Sequence, residues 1–247
     1  MNRLNSRPLV LAAAALALFS LACQTVTQSA EVAVPTTAVL ALPTAEGQVE
    51  PPADQPADQP EPAEAGVLFF DDFSDPDSGW DRTDYDGSTT DYLDGQYQIL
   101  VTDTSADFWA NPGLDFGDVH VETLATKAGG PDDNDFGVIC RYQDLDNFYY
   151  FVISSDGYAG IVKLIDGENI GLGSEELEPT DAILQGDSTN LIAAECVGST
   201  LRLYVNGELV AEAEDTAFSQ GDVGLIAGTY DIPGTDIRFD DFLVTEP

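Results

Sequence analysis

Positive charge is nearly missing from this sequence: 8 Lys and Arg stand against 45 Asp and Glu, a formal net charge of −37. A field of that sign repels nucleic acid and anionic headgroups and attracts cations, which excludes polyanionic partners. Histidine is as scarce. His120 stands alone, so a Ser/His/Asp arrangement has only that base, and no nucleophile elbow accompanies it. The three cysteines, Cys23, Cys140 and Cys196, form no C-x-x-C pair, which removes the common zinc spacings. Nor does any apolar run reach membrane-spanning length. Leu9 to Ala22 reads LVLAAAALALFSLA, fourteen uncharged residues where a helical span needs about 20.

That run follows Arg3 and Arg7, and a basic start before a short apolar stretch is the pattern of an export signal, here residues 1–23. Its end, Ser20-Leu21-Ala22-Cys23, resembles the lipobox of bacterial lipoproteins. The resemblance implies acylation of Cys23 and attachment to the extracytoplasmic face of the membrane through lipid alone. It departs from the usual pattern at Ser20 and Leu21, where Leu and a small residue are typical. Ordinary signal-peptidase cleavage, leaving Cys23 unmodified, also fits Ser20 and Ala22. If Cys23 is acylated, two thiols remain, and in an oxidising exterior Cys140 and Cys196 are expected to form a disulfide.

Residues 24–65 contain no aromatic residue, no Lys and no Arg, and include the repeat PADQPADQPEP. Such a composition buries too little apolar surface to offset chain entropy, so the sequence predicts a disordered linker. Its prolines favour extended chain, with a reach on the order of 100 Å at ~3.1 Å per residue.

From Gly66 the composition changes. Residues 66–247 carry 28 Asp and 10 Glu against six bases. Ten short apolar or alternating runs recur at strand length: 96–101, 119–125, 136–142, 148–153, 160–164, 190–197, 201–205, 208–213, 223–227 and 236–244. Asn206-Gly207 between LRLYV and ELVAEA predicts a type I′ hairpin, because both residues tolerate the positive φ that this turn requires. Asp156-Gly157 and the segment from Asp144 to Asn147 predict two more. Many antiparallel strands at this spacing predict an all-β domain, a sandwich or a barrel.

Three segments, FGVICRYQDLDNFYYFVISSDGYAGIVKL, NLIAAECVGSTLRLYVNGELV and GDVGLIAGTYDIPGTDIRFDDFLV, resemble the concanavalin A-like or laminin-G-like jelly roll. Within it they look most like the bacterial branch related to family 16 glycoside hydrolases and 3-keto-disaccharide hydrolase domains. The resemblance implies a two-sheet antiparallel sandwich in which the first and last strands are neighbours. FDDF occurs at both ends, as Phe70-Asp71-Asp72-Phe73 and Phe239-Asp240-Asp241-Phe242. It implies structural calcium at Asp72 and Asp241, with Asp75, Asp77 and Gly79 as a second loop of suitable composition; turn caps and solvated acids are the alternative reading. For activity the fold implies little, since it hosts lectins, glycosidases and adhesion modules alike.

No catalytic residue is assigned from the sequence. Glycoside hydrolysis needs a pair of carboxylates, and the E-x-D-x-x-E strand of family 16 is absent; Glu195 is the only Glu inside an apolar strand. For binding, Trp109 in DFWANPG and Tyr230 in GTYDIPG sit in loop-like sequence, and Arg141 is a charge inside an apolar strand that requires a partner or a ligand. Sugar rings stack on aromatic faces while charged and amide groups take the hydroxyls. These three residues therefore point to a carbohydrate or cell-envelope glycan. The expectation is a surface lipoprotein presenting a non-catalytic carbohydrate-binding jelly roll; the alternatives are a 3-keto-disaccharide-type hydrolase and a structural envelope protein.

Overall fold

A computed structural model describes residues 66–247; the expected signal peptide (1–23), the expected acylation site Cys23 and the expected linker (24–65) lie outside the described residues. Sixteen strands and no α-helix occur among those described. The first eight are β1 (Val67–Asp71), β2 (Thr83–Tyr85), β3 (Ser88–Leu93), β4 (Gln96–Val101), β5 (Ala106–Ala110), β6 (Val119–Gly129), β7 (Asn134–Asp144) and β8 (Asn147–Ile153). The rest are β9 (Tyr158–Ile165), β10 (Glu168–Leu172), β11 (Glu178–Pro179), β12 (Thr189–Val197), β13 (Thr200–Val205), β14 (Glu208–Glu214), β15 (Asp222–Thr229) and β16 (Thr235–Thr245).

They form a jelly-roll sandwich of two antiparallel sheets. The first has the order β14-β13-β12-β6-β16-β4-β3-β2, with β1 also on β16; the second has the order β10-β9-β8-β7-β15-β5, with β11 also on β9. The expected hairpins are present. Asn206 and Gly207 take φ of 52° and 83°, the two positive angles of the turn between β13 and β14. Leu145 and Asp146 join β7 to β8 while Asp144 pairs with Asn147. Between β8 and β9 the turn closes with Gly157 N donating to Ser154 O at 3.1 Å. The first and last strands are neighbours, with Asp71 opposite Phe242.

The two sheets differ in how their faces are buried, and the difference is written in the sequence. In the first sheet buried and less buried residues alternate, as in QYQILV of β4 and TLRLYV of β13, so one face meets the core and the other meets water. In the second sheet β8 (NFYYFVI) and β15 (DVGLIAGT) are buried almost throughout, and so is the first part of β7. Unbroken apolar strands of this kind require cover on both faces. Their inner residues, among them Phe136, Val138, Tyr149 and Phe151, join the main core between the sheets. Their outer residues, Ile139, Phe148, Tyr150, Val152 and Ile226, form a separate apolar layer on the far side.

Inside the sandwich, Cys140 on β7 and Cys196 on β12 are disulfide-bonded, joining the two sheets. Near the chain start, Asp71 closes the loop that follows β1. Its carboxylate accepts from Trp80 Nε1 at 2.9 Å, Ser78 Oγ at 2.5 Å and Phe73 N at 2.8 Å. The rings of Phe73, Trp80, Tyr97 and Phe242 pack around it.

Candidate ligand-binding face

The outer face of the second sheet is where the described residues gather unexplained chemistry. Register builds it. On β5, Asp107 and Trp109 point outward; on β15, Ile226 and Gly228; on β7, Asp135, Gly137 and Ile139, with Asp107, Gly228 and Asp135 abreast across three adjacent strands. Trp109 lies against Phe148, ring centroids 5.3 Å apart, and Phe148 in turn packs on Tyr150 and Tyr142.

One wall comes from the segment between β10 and β11, which folds back so that Leu177 covers Gly160. A Cβ at Gly160 would fall 2.5 Å from Leu177 Cδ2, so a larger residue there would push the end of that side chain out of its present place. Behind that wall is a cavity of about 470 Å³, within the usual range for ligand sites, whose lining includes Asp135, Tyr150, Val152, Leu177 and Tyr230. A second hollow of about 240 Å³ continues the depression past Tyr150 and Asn169 to Asp107, Trp109 and Phe148.

Asp107 and Asp135 converge over Gly228. A Cβ at that residue would overlap Oδ1 of both, so the two carboxylate oxygens occupy the space directly above the glycine. Asp135 is 9% exposed. Its Oδ2 accepts from the Tyr230 hydroxyl at 3.3 Å, whereas its Oδ1 is buried with no hydrogen-bond partner. Burial, reinforced by the negative charge of Asp107, pushes the Asp135 carboxyl up to about 7, against the opposing pull of Tyr230. Solvent reaches the side chain of Asp107, yet the groove around it removes enough water to raise its pKa as well. Burial and the same two carboxylates raise the Tyr150 hydroxyl.

Of the residues singled out by sequence, Trp109 and Tyr230 both lie on this face. Arg141 does not. It sits in a bulge of β7 at a φ of 55°, is 1% exposed, and donates to Gly198 O, Phe218 O and, at 3.0 Å, Asp118 Oδ1. Its guanidinium ties the ends of neighbouring strands together. Asp72 is exposed and accepts from Ser74 N; Asp241 is exposed in a bulge of β16 at a φ of 50°. Among the described residues no group of three or more His, Cys, Asp or Glu side chains is arranged to hold a metal ion. Glu195 pairs with Arg202 at 3.2 Å and lies beside His120 on the outer face of the first sheet, away from the groove.

Sequence reasoning missed Asp107 and Asp135. The signal was present as an acid two residues before Trp109 in ADFWA, and one next to the doubly buried run FGVIC. Only the register of β5, β15 and β7 brings the two together.

No family model matches the sequence, and no curated protein matches it either. Solved structures do share the fold. A carbohydrate binding module, CBM66 from Bacillus subtilis, superposes with a TM-score of 0.55 at 19% identity, over 68% of this chain and 96% of that one. A Bacillus subtilis protein of unknown function with a galectin-like fold gives 0.54 at 14% identity, covering 74% and 97%. The GH43 protein BlXynB from Bacillus licheniformis gives 0.55 at 15% identity over 72% of this chain, which spans 39% of that longer protein. At these identities the likeness is one of fold alone, a two-sheet antiparallel jelly roll.

Proposed function

We propose that this chain is a non-catalytic carbohydrate-binding protein that takes its ligand on the outer face of the second sheet. The observation that carries this reading is the second apolar layer itself. A sheet needs one buried face to fold; this one also buries Phe148 and Tyr150 on the opposite side and sets the partly exposed Trp109 and Tyr230 beside them, next to carboxylates able to accept from sugar hydroxyls. The carbohydrate binding module and the GH43 protein that share this fold support the reading.

Hydrolysis needs a paired acid and nucleophile, and the E-x-D-x-x-E strand that supplies them in family 16 glycoside hydrolases is absent from this sequence, which favours binding over cleavage.

The exported chain, applied to an array of glycans, should retain a subset of them, and Trp109→Ala should reduce that binding at least roughly tenfold without lowering the melting temperature by more than a few degrees. An array with no bound glycan would sink the reading. We propose further that acylated Cys23 presents the domain at the membrane surface. Cys23→Ala should then move the protein from the membrane fraction to the soluble one, and unchanged fractionation would count against the anchor.

A further inference from the structure

We infer that the sugar bound on this face carries a protonated amine, a 2-amino-2-deoxy residue without its acetyl group, whose ammonium sits over Gly228 between Asp107 and Asp135. The inference rests on the carbohydrate reading and narrows it to a class of ligand.

Three observations converge on a cation. First, Oδ1 of Asp107 and Oδ1 of Asp135 share the space above a residue with no side chain, and the buried Asp135 oxygen has no partner there. A buried acceptor left without a donor is costly, and two carboxylates held this close repel one another unless a positive group or a shared proton lies between them.

Second, the protein supplies no such positive group. Each of the six bases of the described region is engaged elsewhere: Arg82 with Asp91, Lys127 with Asp132 and Asp187, Arg141 with Asp118, Lys163 with Asp215, Arg202 with Glu195 and Glu212, and Arg238 with Asp236. Further acids, Asp133, Asp156 and Glu176, extend the negative field toward Tyr158 and Tyr230.

Third, the surroundings suit an organic cation better than a metal ion. Calcium takes 6 to 8 oxygen ligands, whereas this cradle offers two carboxylates among aromatic rings. An ammonium needs two or three acceptors, and aromatic faces add cation–π attraction. Its N–H groups would point at Asp107 Oδ1 and Asp135 Oδ1 while the pyranose ring extends along the groove toward Trp109.

The test compares three oligosaccharides of equal length against the exported chain by calorimetry: β-1,4-linked glucosamine, its N-acetylated counterpart, and the corresponding glucose oligomer. The measurement is made at about pH 7, where the Asp135 carboxyl has begun to ionise and an amine is still largely protonated, and at two salt concentrations. The glucosamine oligomer should bind at least roughly tenfold more tightly than the other two, the scale of one charge-assisted hydrogen bond. That preference should disappear in Asp107→Asn and in Asp135→Asn and persist in Asp84→Asn, an exposed acid on β2. Equal binding of all three oligomers by the wild type overturns the inference and leaves the carbohydrate reading standing. A preference that survives both groove substitutions, or that vanishes at the higher salt, also overturns it, because it then belongs to the acidic surface at large. No binding of any of the three, together with an empty glycan array, removes both.

Discussion

Asp135 concentrates the conflict between burial and charge in this protein. Its carboxyl is raised from 3.8 to about 7, so between those values the folded state keeps a proton that the unfolded state has released. Stability contributed by the neutral group is therefore full below pH 4 and is lost as pH rises through about 7, at a cost on the order of 4 kcal/mol to the Asp107–Asp135 pair. Asp135→Asn removes the titration while keeping shape and burial. Urea unfolding of the two proteins across this pH range should show the wild type losing stability relative to the variant as pH increases. Parallel curves would mean that water or a counter-ion relieves the pair. The same reasoning explains why the residue escaped sequence reading: an Asp beside an apolar strand looks like a turn cap until its burial and its neighbour are known.

At the scale of elements, the β13–β14 hairpin shows how one residue serves several strands. Besides setting the turn, Asn206 accepts from Leu191 N at 3.0 Å and donates to Ala182 O and Asn190 Oδ1, both at 2.8 Å. The turn is thereby tied to β12 and to the segment that precedes it. Asn206→Ala places a Cβ-bearing residue without polar atoms at positive φ and strands those three partners. It should cost about 2 to 4 kcal/mol, read as a lower denaturant midpoint with unchanged slope. Gly207→Ala meets no neighbouring atom but forces a Cβ-bearing residue to a φ of 83°, and should cost about 1 to 2 kcal/mol. The turn was legible from Asn-Gly alone, as were the ten strands with a clear apolar pattern. Of the other six, β1 was marked only through the FDDF resemblance and β2, β3, β5, β10 and β11 were not marked at all, and the reason is physical. They are short, several are mostly exposed, and β3 reads STTDYL, so their place is set by neighbours and not by their own periodicity. β5, which carries Asp107 and Trp109, is among them, and for that reason half of the candidate site was hidden.

For the whole molecule, charge and cysteine count were informative where site chemistry was not. With 38 carboxylates and six bases in residues 66–247, most acids go unpaired, and the domain folds against considerable self-repulsion. A covalent tie between its layers matters more under that load. Cys140 lies on β7 and Cys196 on β12, strands central to opposite sheets and joined by no hydrogen bond to one another, 56 positions apart in sequence. In the chain-entropy view a loop of that length restricts the unfolded state by about 4 kcal/mol. Because the bridge is wholly inside the core, its loss leaves two small apolar groups and no unpaired charge. The double substitution Cys140→Ala with Cys196→Ala should therefore fold to the same two sheets and unfold at a markedly lower denaturant concentration. Low salt should widen the difference if unpaired carboxylates amplify the penalty by expanding the unfolded chain. Thiol titration of the unreduced, unfolded wild type should find neither Cys140 nor Cys196 free; two reactive thiols there, or a double variant as stable as its parent, would remove the bridge from the account of what holds the layers together.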